Sequence, residues 1–123
     1  MEFVIKKCLK CGAMVEVLDD CSCPNCGIKC CGENMVIIKP NSVDASFEKH
    51  VPTYEIKEDK IFAKVNHVME DEHYIMWICF VSKNKIQKVV LNPHQKPEAV
   101  FDYEKGTLYA YCNKHSLWEA KVK

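Results

Sequence analysis

The sequence has no excess of charge of one sign and no long apolar stretch, and each absence excludes a class of protein. Lysine and arginine together number 17, and aspartate and glutamate also number 17. Without a basic excess, the chain does not have the charge signature of a nucleic-acid-binding protein, and any electrostatic function must be local. No segment approaches the roughly 18 consecutive apolar residues that a membrane span needs.

The sequence also lacks a targeting signal, internal repeats and low-complexity tracts. The first residues, MEFVIKKCLKCG, contain neither the apolar centre of a secretory signal nor a small-residue cleavage site. We therefore expect a cytoplasmic protein that does not insert into a membrane and does not bind nucleic acid.

Cysteine, by contrast, is abundant and unevenly distributed. Only Cys79 and Cys112 lie in the later part of the chain. In a reducing compartment, clustered thiols indicate metal ligands more strongly than they indicate disulfides. The other seven of the nine cysteines lie within the first 31 residues and are Cys8, Cys11, Cys21, Cys23, Cys26, Cys30 and Cys31.

The composition changes near Lys39 and Pro40, which indicates two domains. The Cys-rich segment before this point is too short to bury a core without a metal or another cross-link. We therefore predict a small metal-binding domain over residues 1–37 and a second domain over residues 38–123.

The second domain has the pattern of an all-β fold. Residues 60–66 alternate apolar and polar side chains, whereas residues 73–81 are apolar on both faces, as in a central strand. Short β-branched and aromatic runs follow at 86–91, 98–103 and 107–112, separated by turn residues. No window keeps a helical apolar stripe over three turns, so the pattern predicts a β-sandwich.

The first cysteine motif, Cys8-Leu-Lys-Cys11-Gly12, is typical of a metal knuckle, because two thiolates at this spacing can chelate one ion. A second pair must complete a tetrahedral site for zinc or iron, and two choices compete. We favour Cys30 and Cys31, whose adjacent placement resembles the end of a desulforedoxin-type iron domain. The alternative second pair is Cys23 and Cys26, which form a rubredoxin-like knuckle of their own. A metal at this N-terminal site could have a purely structural role and carry no electrons.

Four histidines occur in distinctive segments of the second domain. The segments are EKHVP at 48–52, NHVM at 66–69, EHYI at 72–75 and YCNKHSLW at 111–118. A single histidine is weak evidence for a ligand, but the pair Cys112 and His115 at the end of a predicted strand can aim both side chains at one ion.

Together these segments resemble the superoxide reductase family, known as desulfoferrodoxins and neelaredoxins. The resemblance implies an immunoglobulin-like β-sandwich preceded by a small rubredoxin- or desulforedoxin-like domain. It also implies an enzyme that reduces superoxide to hydrogen peroxide by one electron at a mononuclear iron that cycles between Fe²⁺ and Fe³⁺. The ligands implied by the family pattern are His50, His67, His73, His115 and Cys112.

The same resemblance assigns roles to two neighbouring residues and implies partners. Glu48 would close on the iron after oxidation, and Lys49 would place a positive charge beside the open position. A rubredoxin-type or other small electron-transfer protein would restore Fe²⁺, and a homodimer is expected. The sequence departs from the family pattern at Val68, where proline is common, and at Met76, but neither is a ligand position.

Three other readings account for less of the sequence. A blue-copper carrier would need an axial methionine after the Cys-His loop, and no methionine follows Met76. A thiol-sensing module would leave the histidine segments unexplained. A Cys112–His115 nucleophile pair lacks a third residue to orient the histidine.

Overall fold

The computed structural model describes residues 2–123; Met1, the first residue of the predicted N-terminal domain, lies outside the described residues. The chain forms two compact units, Glu2–Lys39 and Pro40–Lys123. The division lies close to the boundary that the sequence predicts between residues 37 and 38.

The N-terminal unit contains five short strands. They are β1 (Val4–Lys7), β2 (Met14–Val17), β3 (Lys29–Cys30), β4 (Glu33–Asn34) and β5 (Val36–Ile37). Strands β2, β1 and β5 form one antiparallel sheet in that order, and β3 pairs with β4 in a separate hairpin.

The apolar core of the N-terminal unit is small. Among residues 2–39, the buried apolar side chains are Ile5, Cys8 and Met35. So few buried groups cannot offset the conformational entropy of ordering the segment, which is why a cross-link such as a metal is needed.

The second unit is a sandwich of seven strands with one short helix. The elements are α1 (Phe47–His50), β6 (Thr53–Lys57), β7 (Lys60–Lys64), β8 (Ile75–Ser82), β9 (Ile86–Val90), β10 (Glu98–Asp102), β11 (Gly106–Cys112) and β12 (Ser116–Val122). Strands β10, β7 and β6 form one sheet, and β12, β11, β8 and β9 form the other. Three strands packed on four is the arrangement of an immunoglobulin-like sandwich, which confirms the predicted fold class.

The core lies between the two sheets. On β7, Ile61 and Ala63 are buried while their neighbours are exposed, as the alternating sequence predicts. Across the sandwich, the ring centroids of Phe80 on β8 and Phe101 on β10 are 5.7 Å apart. The side chains from the two sheets therefore interdigitate in a single core.

Strand β8 is buried on both faces. One face lies in the core, and side chains of the neighbouring strands cover the other. The ring of Trp77 stacks on that of Tyr111 from β11 at a centroid distance of 5.6 Å. Lys88 on β9 places its ammonium 5.1 Å from the centroid of Trp77. Cys79 is fully buried on the same strand.

Strands β6 and β12 and helix α1 were not predicted from the sequence. Strand β6, with the sequence TYEIK, is largely exposed, and α1 is a single turn, so neither has a clear apolar period. None of the helices within residues 2–123 has the length and apolar character of a membrane-spanning segment.

Gly106, at the start of β11, lies opposite Ser82 of β8 and Val122 of β12. A Cβ atom at this position would lie 2.3 Å from the carbonyl oxygen of Val81 and 2.9 Å from the ring of Phe80. We predict that Gly106→Ala lowers the free energy of unfolding of the sandwich by about 1–3 kcal/mol, because backbone must move to relieve the clash.

Chemical denaturation monitored by tryptophan fluorescence measures this change. Lys105→Ala, at the exposed neighbouring position, is the matched control and should leave stability unchanged. Equal stability of Gly106→Ala and the parent chain would show that the sheet does not require glycine there.

Candidate metal centres

Four histidine rings form a closed cycle in the second unit. The centroid distances are 4.9 Å from His50 to His67, 4.7 Å from His67 to His73, 5.2 Å from His73 to His115 and 4.8 Å from His115 to His50. Neighbouring rings meet nearly edge to face. Each imidazole therefore points one nitrogen toward a shared centre.

The thiol of Cys112 joins this cycle of rings. Its Sγ lies 3.3 Å from His67 Nε2 and 3.8 Å from His115 Nδ1. One ligand atom from each of the five side chains lies within 4.8 Å of all the others. We call this group the His₄Cys site.

The topology of the four-stranded sheet explains how distant segments meet at the His₄Cys site. Strand β11 ends at Cys112, opposite Ile75 at the start of β8, with an irregularity in register at Tyr111 and Cys112. His73 lies two residues before the start of β8, and His115 lies in the tight turn from β11 to β12. A bulge commonly re-aims a side chain at a strand end, and here it accompanies the placement of the thiol.

Asn113 ties these two segments together. Its side-chain amide donates to the carbonyl of Glu72 at 2.9 Å, and its Oδ1 accepts from the backbone N–H of Tyr74 at 2.9 Å. The two hydrogen bonds fix the backbone on both sides of His73. Sequence reasoning missed this role, although the position of Asn113 between Cys112 and His115 was a usable signal.

Trp118 positions two further members of the site. Its fully buried ring stacks on His50 at a centroid distance of 4.9 Å, and its Nε1–H donates to the carbonyl of His115 at 2.8 Å. The same ring contacts Phe47 at the start of α1. Trp118 is therefore a packing residue, and it packs on a predicted ligand.

The hydrogen bonds of the rings decide which nitrogen faces the centre. His50 Nδ1 lies 2.6 Å from the carbonyl of Ser46, and His67 Nδ1 lies 2.6 Å from the carbonyl of Val68. A carbonyl only accepts, so both Nδ1 atoms carry the proton and both Nε2 atoms present a lone pair. His115 instead faces the centre with Nδ1, which lies 3.1 Å from His50 Nε2.

The donor set fits a metal ion. His73 Nε2 is buried and has no hydrogen-bond partner among the described residues, an arrangement that is costly without a ligand. Five donors exceed the four of a structural zinc site. Imidazole nitrogen together with thiolate suits iron, and the chemistry of the five side chains therefore fits a mononuclear iron with one position left open.

Burial favours the neutral form of two of the histidines and of the thiol. Burial lowers the pKa of His50 and of His67, and the neighbouring histidines lower both further, so these rings are neutral and can bind a cation. Burial also raises the pKa of the Cys112 thiol. A cation at the centre is the group that would convert this thiol into a thiolate.

A cavity of about 450 Å³ opens on the site and is lined by all four histidines but not by Cys112. Lys49 lines this cavity, together with the carboxylates of Asp44 and Glu70. Glu48 instead lines an adjacent cavity that also reaches His67. The structure thus places Lys49 on the open side of the imidazoles and Glu48 to one side.

The N-terminal unit brings together a second group of donors. The Sγ atoms of Cys8, Cys11, Cys30 and Cys31 all lie within 4.8 Å of one another, and we call them the cysteine cluster. Gly12, at a φ of 81°, allows the turn after the first pair, and its N–H donates to the Cys8 carbonyl at 2.9 Å. The favoured pairing from the sequence is therefore the one that converges.

The alternative second pair requires a correction. Cys23 and Cys26 form a disulfide with each other, with Cα atoms 5.6 Å apart. They do not complete the site of Cys8 and Cys11, because a metal needs the thiolate form of cysteine. The general preference for metal ligation over disulfides therefore does not extend to this pair.

The thiols of the cysteine cluster influence one another. The backbone N–H of Cys11 points at Cys8 Sγ from 3.5 Å and lowers the pKa of Cys8 to about 7. The sulfur of Cys11, 3.6 Å from that of Cys30, and the sulfur of Cys8 raise the pKa of Cys30 to about 12. Four thiolates at this spacing repel one another, so a cation is needed to hold them together.

A seven-stranded sandwich that presents four imidazoles and a thiol at one point belongs to the class of mononuclear metalloproteins. A family model described as Desulfoferrodoxin matches residues 42–121. The Desulfoferrodoxin of Syntrophotalea carbinolica is 40% identical over 122 residues, which cover 95% of this chain and 94% of that protein. The Desulfoferrodoxin of Desulfarculus baarsii is 41% identical over 125 residues, with coverage of 95% and 94%.

A solved structure matches the fold of nearly the whole chain. The crystal structure of the superoxide reductase from Treponema pallidum matches with a TM-score of 0.76 and 26% identity, over 98% of this chain and 100% of that chain. The chain belongs to the desulfoferrodoxin family.

The two cysteine groups of the N-terminal unit can be distinguished by metal content. We predict that Cys31→Ser weakens metal binding at the cysteine cluster by at least about tenfold, because it removes one of four ligands. Cys26→Ser, which removes a cysteine of the same unit outside the cluster, should retain the metal. Metal analysis after dialysis against a chelator gives the comparison, and the opposite ranking of the two variants would contradict the assignment.

Proposed function

We propose that the protein is a superoxide reductase with iron at the His₄Cys site. The observation that carries the proposal is the convergence of five donor atoms beneath a cavity that reaches the four imidazoles but not the thiol. The ligands would be His50 Nε2, His67 Nε2, His73 Nε2, His115 Nδ1 and Cys112 Sγ. A small anion could then approach from the side opposite Cys112.

The reaction consumes one superoxide, one electron and two protons for each hydrogen peroxide formed. When bound, iron supplies the electron that takes superoxide to the peroxide oxidation level. The chain must supply the rest: it admits the anion, neutralises its charge and relays protons. An external donor then returns one electron per turnover.

Lys49 is proposed to attract and hold the substrate anion. It is the basic side chain among the described residues that line the cavity, and two carboxylates, Asp44 and Glu70, line the same cavity. Because the protein has no net charge, the attraction depends on this local balance. Without Lys49, the cavity would present an acidic rim to an anion.

Glu48 is proposed to act after the chemical step. It precedes Lys49 on α1 and lines the adjacent cavity that also reaches His67. From there, its carboxylate would approach the open position and assist release of the product.

We also propose a metal for the cysteine cluster, an electron donor and a cellular location. The cysteine cluster would hold iron or zinc, and a rubredoxin-type or other small electron-transfer protein would be the donor. Seven of the nine cysteines lie outside any disulfide, which fits a reducing compartment and supports a cytoplasmic location. A homodimer is proposed from the family resemblance alone.

The stoichiometry of product formation tests the proposed activity. We predict that the reduced, iron-loaded protein yields one peroxide for each superoxide consumed and evolves no oxygen. Pulse radiolysis with peroxide and oxygen detection measures both quantities. A yield of one peroxide for every two superoxides, with oxygen evolved, would identify a dismutase instead.

The charge of Lys49 can be tested separately from the chemistry. We predict that Lys49→Ala slows second-order capture of superoxide by about tenfold at low ionic strength and flattens its salt dependence, because steering of an anion is lost. Stopped-flow or pulse-radiolysis rates over a series of salt concentrations give the result.

Lys83→Ala is the matched control for the charge change. Lys83 is exposed in the turn after β8, so it lies roughly 26 Å along the strand from the end that carries His73. Its removal should leave the capture rate and its salt dependence unchanged. An unaltered salt dependence in Lys49→Ala would exclude Lys49 from substrate attraction.

A further inference from the structure

Three cysteines of the N-terminal unit remain outside the cysteine cluster. Cys21, Cys23 and Cys26 all lie in the segment between β2 and β3, and all three are exposed. Cys23 and Cys26 are joined in a disulfide, while Cys21 is outside it and donates through its Sγ to Asp20 Oδ1 at 3.4 Å. The proposed reduction of superoxide uses none of these residues.

The segment that carries the disulfide is fixed at both ends. At its start, Asp20 forms a 2.7 Å ion pair with the buried Lys6 of β1. At its end, Gly27 packs against Asn34, whose Oδ1 would lie 2.7 Å from any Cβ at that position. Opening of the sulfur–sulfur bond can therefore change residues 21–26 without unfolding the sheet of β1.

The other cysteines of the chain indicate whether this disulfide is structural or labile. The cysteine cluster already supplies four thiols for one metal, so the Cys23–Cys26 pair is not needed as a ligand pair. In a chain whose other cysteines stay outside disulfides, an exposed bond over a Cys-x-x-Cys spacing belongs to the labile kind and not to the structural kind.

We infer that Cys23 and Cys26 form a redox-active dithiol–disulfide site that exchanges with small thiols or with the dithiol of a partner protein. This function is separate from the proposed reduction of superoxide and does not depend on it. The site carries two electrons, and its substrate class is a thiol reductant in one direction and a disulfide in the other.

The exchange is balanced in electrons and protons. A thiolate of the reductant attacks one sulfur of the pair, the Cys23–Cys26 bond breaks, and a mixed disulfide forms while the other sulfur leaves as a thiolate. The second thiolate of the reductant attacks the mixed disulfide and releases the oxidised reductant. The two cysteines then take up protons from water.

The geometry assigns different roles to the two sulfurs. Cys26 Sγ lies 3.1 Å from the carbonyl oxygen of Cys23. Once the bond is reduced, this separation allows the Cys26 thiol to donate a hydrogen bond to the oxygen, which occupies the Cys26 sulfur. Cys23 is therefore the sulfur that reacts first with an electrophile.

A redox titration of the full metal-loaded protein tests the inference. The protein is equilibrated without oxygen in mixtures of oxidised and reduced dithiothreitol, quenched in acid, unfolded and labelled with a maleimide for peptide mass analysis. We predict one two-electron transition in which the peptide carrying residues 21–26 gains two labels, with no loss of metal. In the reduced protein, iodoacetamide should modify Cys23 several-fold faster than Cys26.

Cys23→Ser should abolish the transition, and Cys21→Ser, a matched change in the same loop, should retain it. Labelling of both Cys23 and Cys26 at every dithiothreitol ratio would overturn the inference, because no disulfide would then form. A bond that resists reduction until the protein unfolds would also overturn it, since the pair would then be structural.

Discussion

The constraint on which the second unit depends is the need to satisfy five donor atoms that face one point. Four imidazoles have neighbouring ring centroids 4.7 to 5.2 Å apart, and the fully buried thiol of Cys112 lies beside them. The Nε2 atom of His73, which has no hydrogen-bond partner in the described part of the chain, shows the cost most directly. A metal ion satisfies all five donors at once and converts a destabilising cluster into a stabilising one.

The sandwich meets this constraint by bringing rigid elements together at one end. Cys112 and His73 are placed by the adjacent ends of β11 and β8, which share a ladder over most of their length. His115 follows in the next turn, and Asn113 ties that turn to the backbone on both sides of His73. A site whose side chains are held by strand ends, and by hydrogen bonds to the neighbouring backbone, keeps its geometry more closely than a site on free loops.

Much of this arrangement followed from the sequence. The alternation at Ile61 and Ala63 and the two-sided apolar run through β8 correctly predicted buried strands, because side-chain period and burial are directly linked. The four histidine segments and Cys112 indicated the His₄Cys site through the order of their motifs. Periodicity alone would not have joined them, because contacts between residues far apart in sequence leave no local pattern.

Other features could not be predicted from local patterns. Strand β6 is stabilised by pairing with β7 along its whole length and carries mostly exposed side chains. The roles of Asn113 and Trp118 arise from tertiary hydrogen bonds and ring stacking. In the N-terminal unit, the spacing of the cysteines left two pairings open, and only the folded chain separated the cysteine cluster from the Cys23–Cys26 disulfide.

The central claim is that one iron ion lies among the imidazoles of His50, His67, His73 and His115, with Cys112 Sγ on the side away from the cavity. Anomalous-scattering maps from crystals of the purified protein, recorded on both sides of the iron absorption edge, test it most directly. The account predicts a peak at the centre of the four rings above the edge that disappears below it. A different metal at that centre, or rings that turn away from a common point around an empty centre, would contradict it.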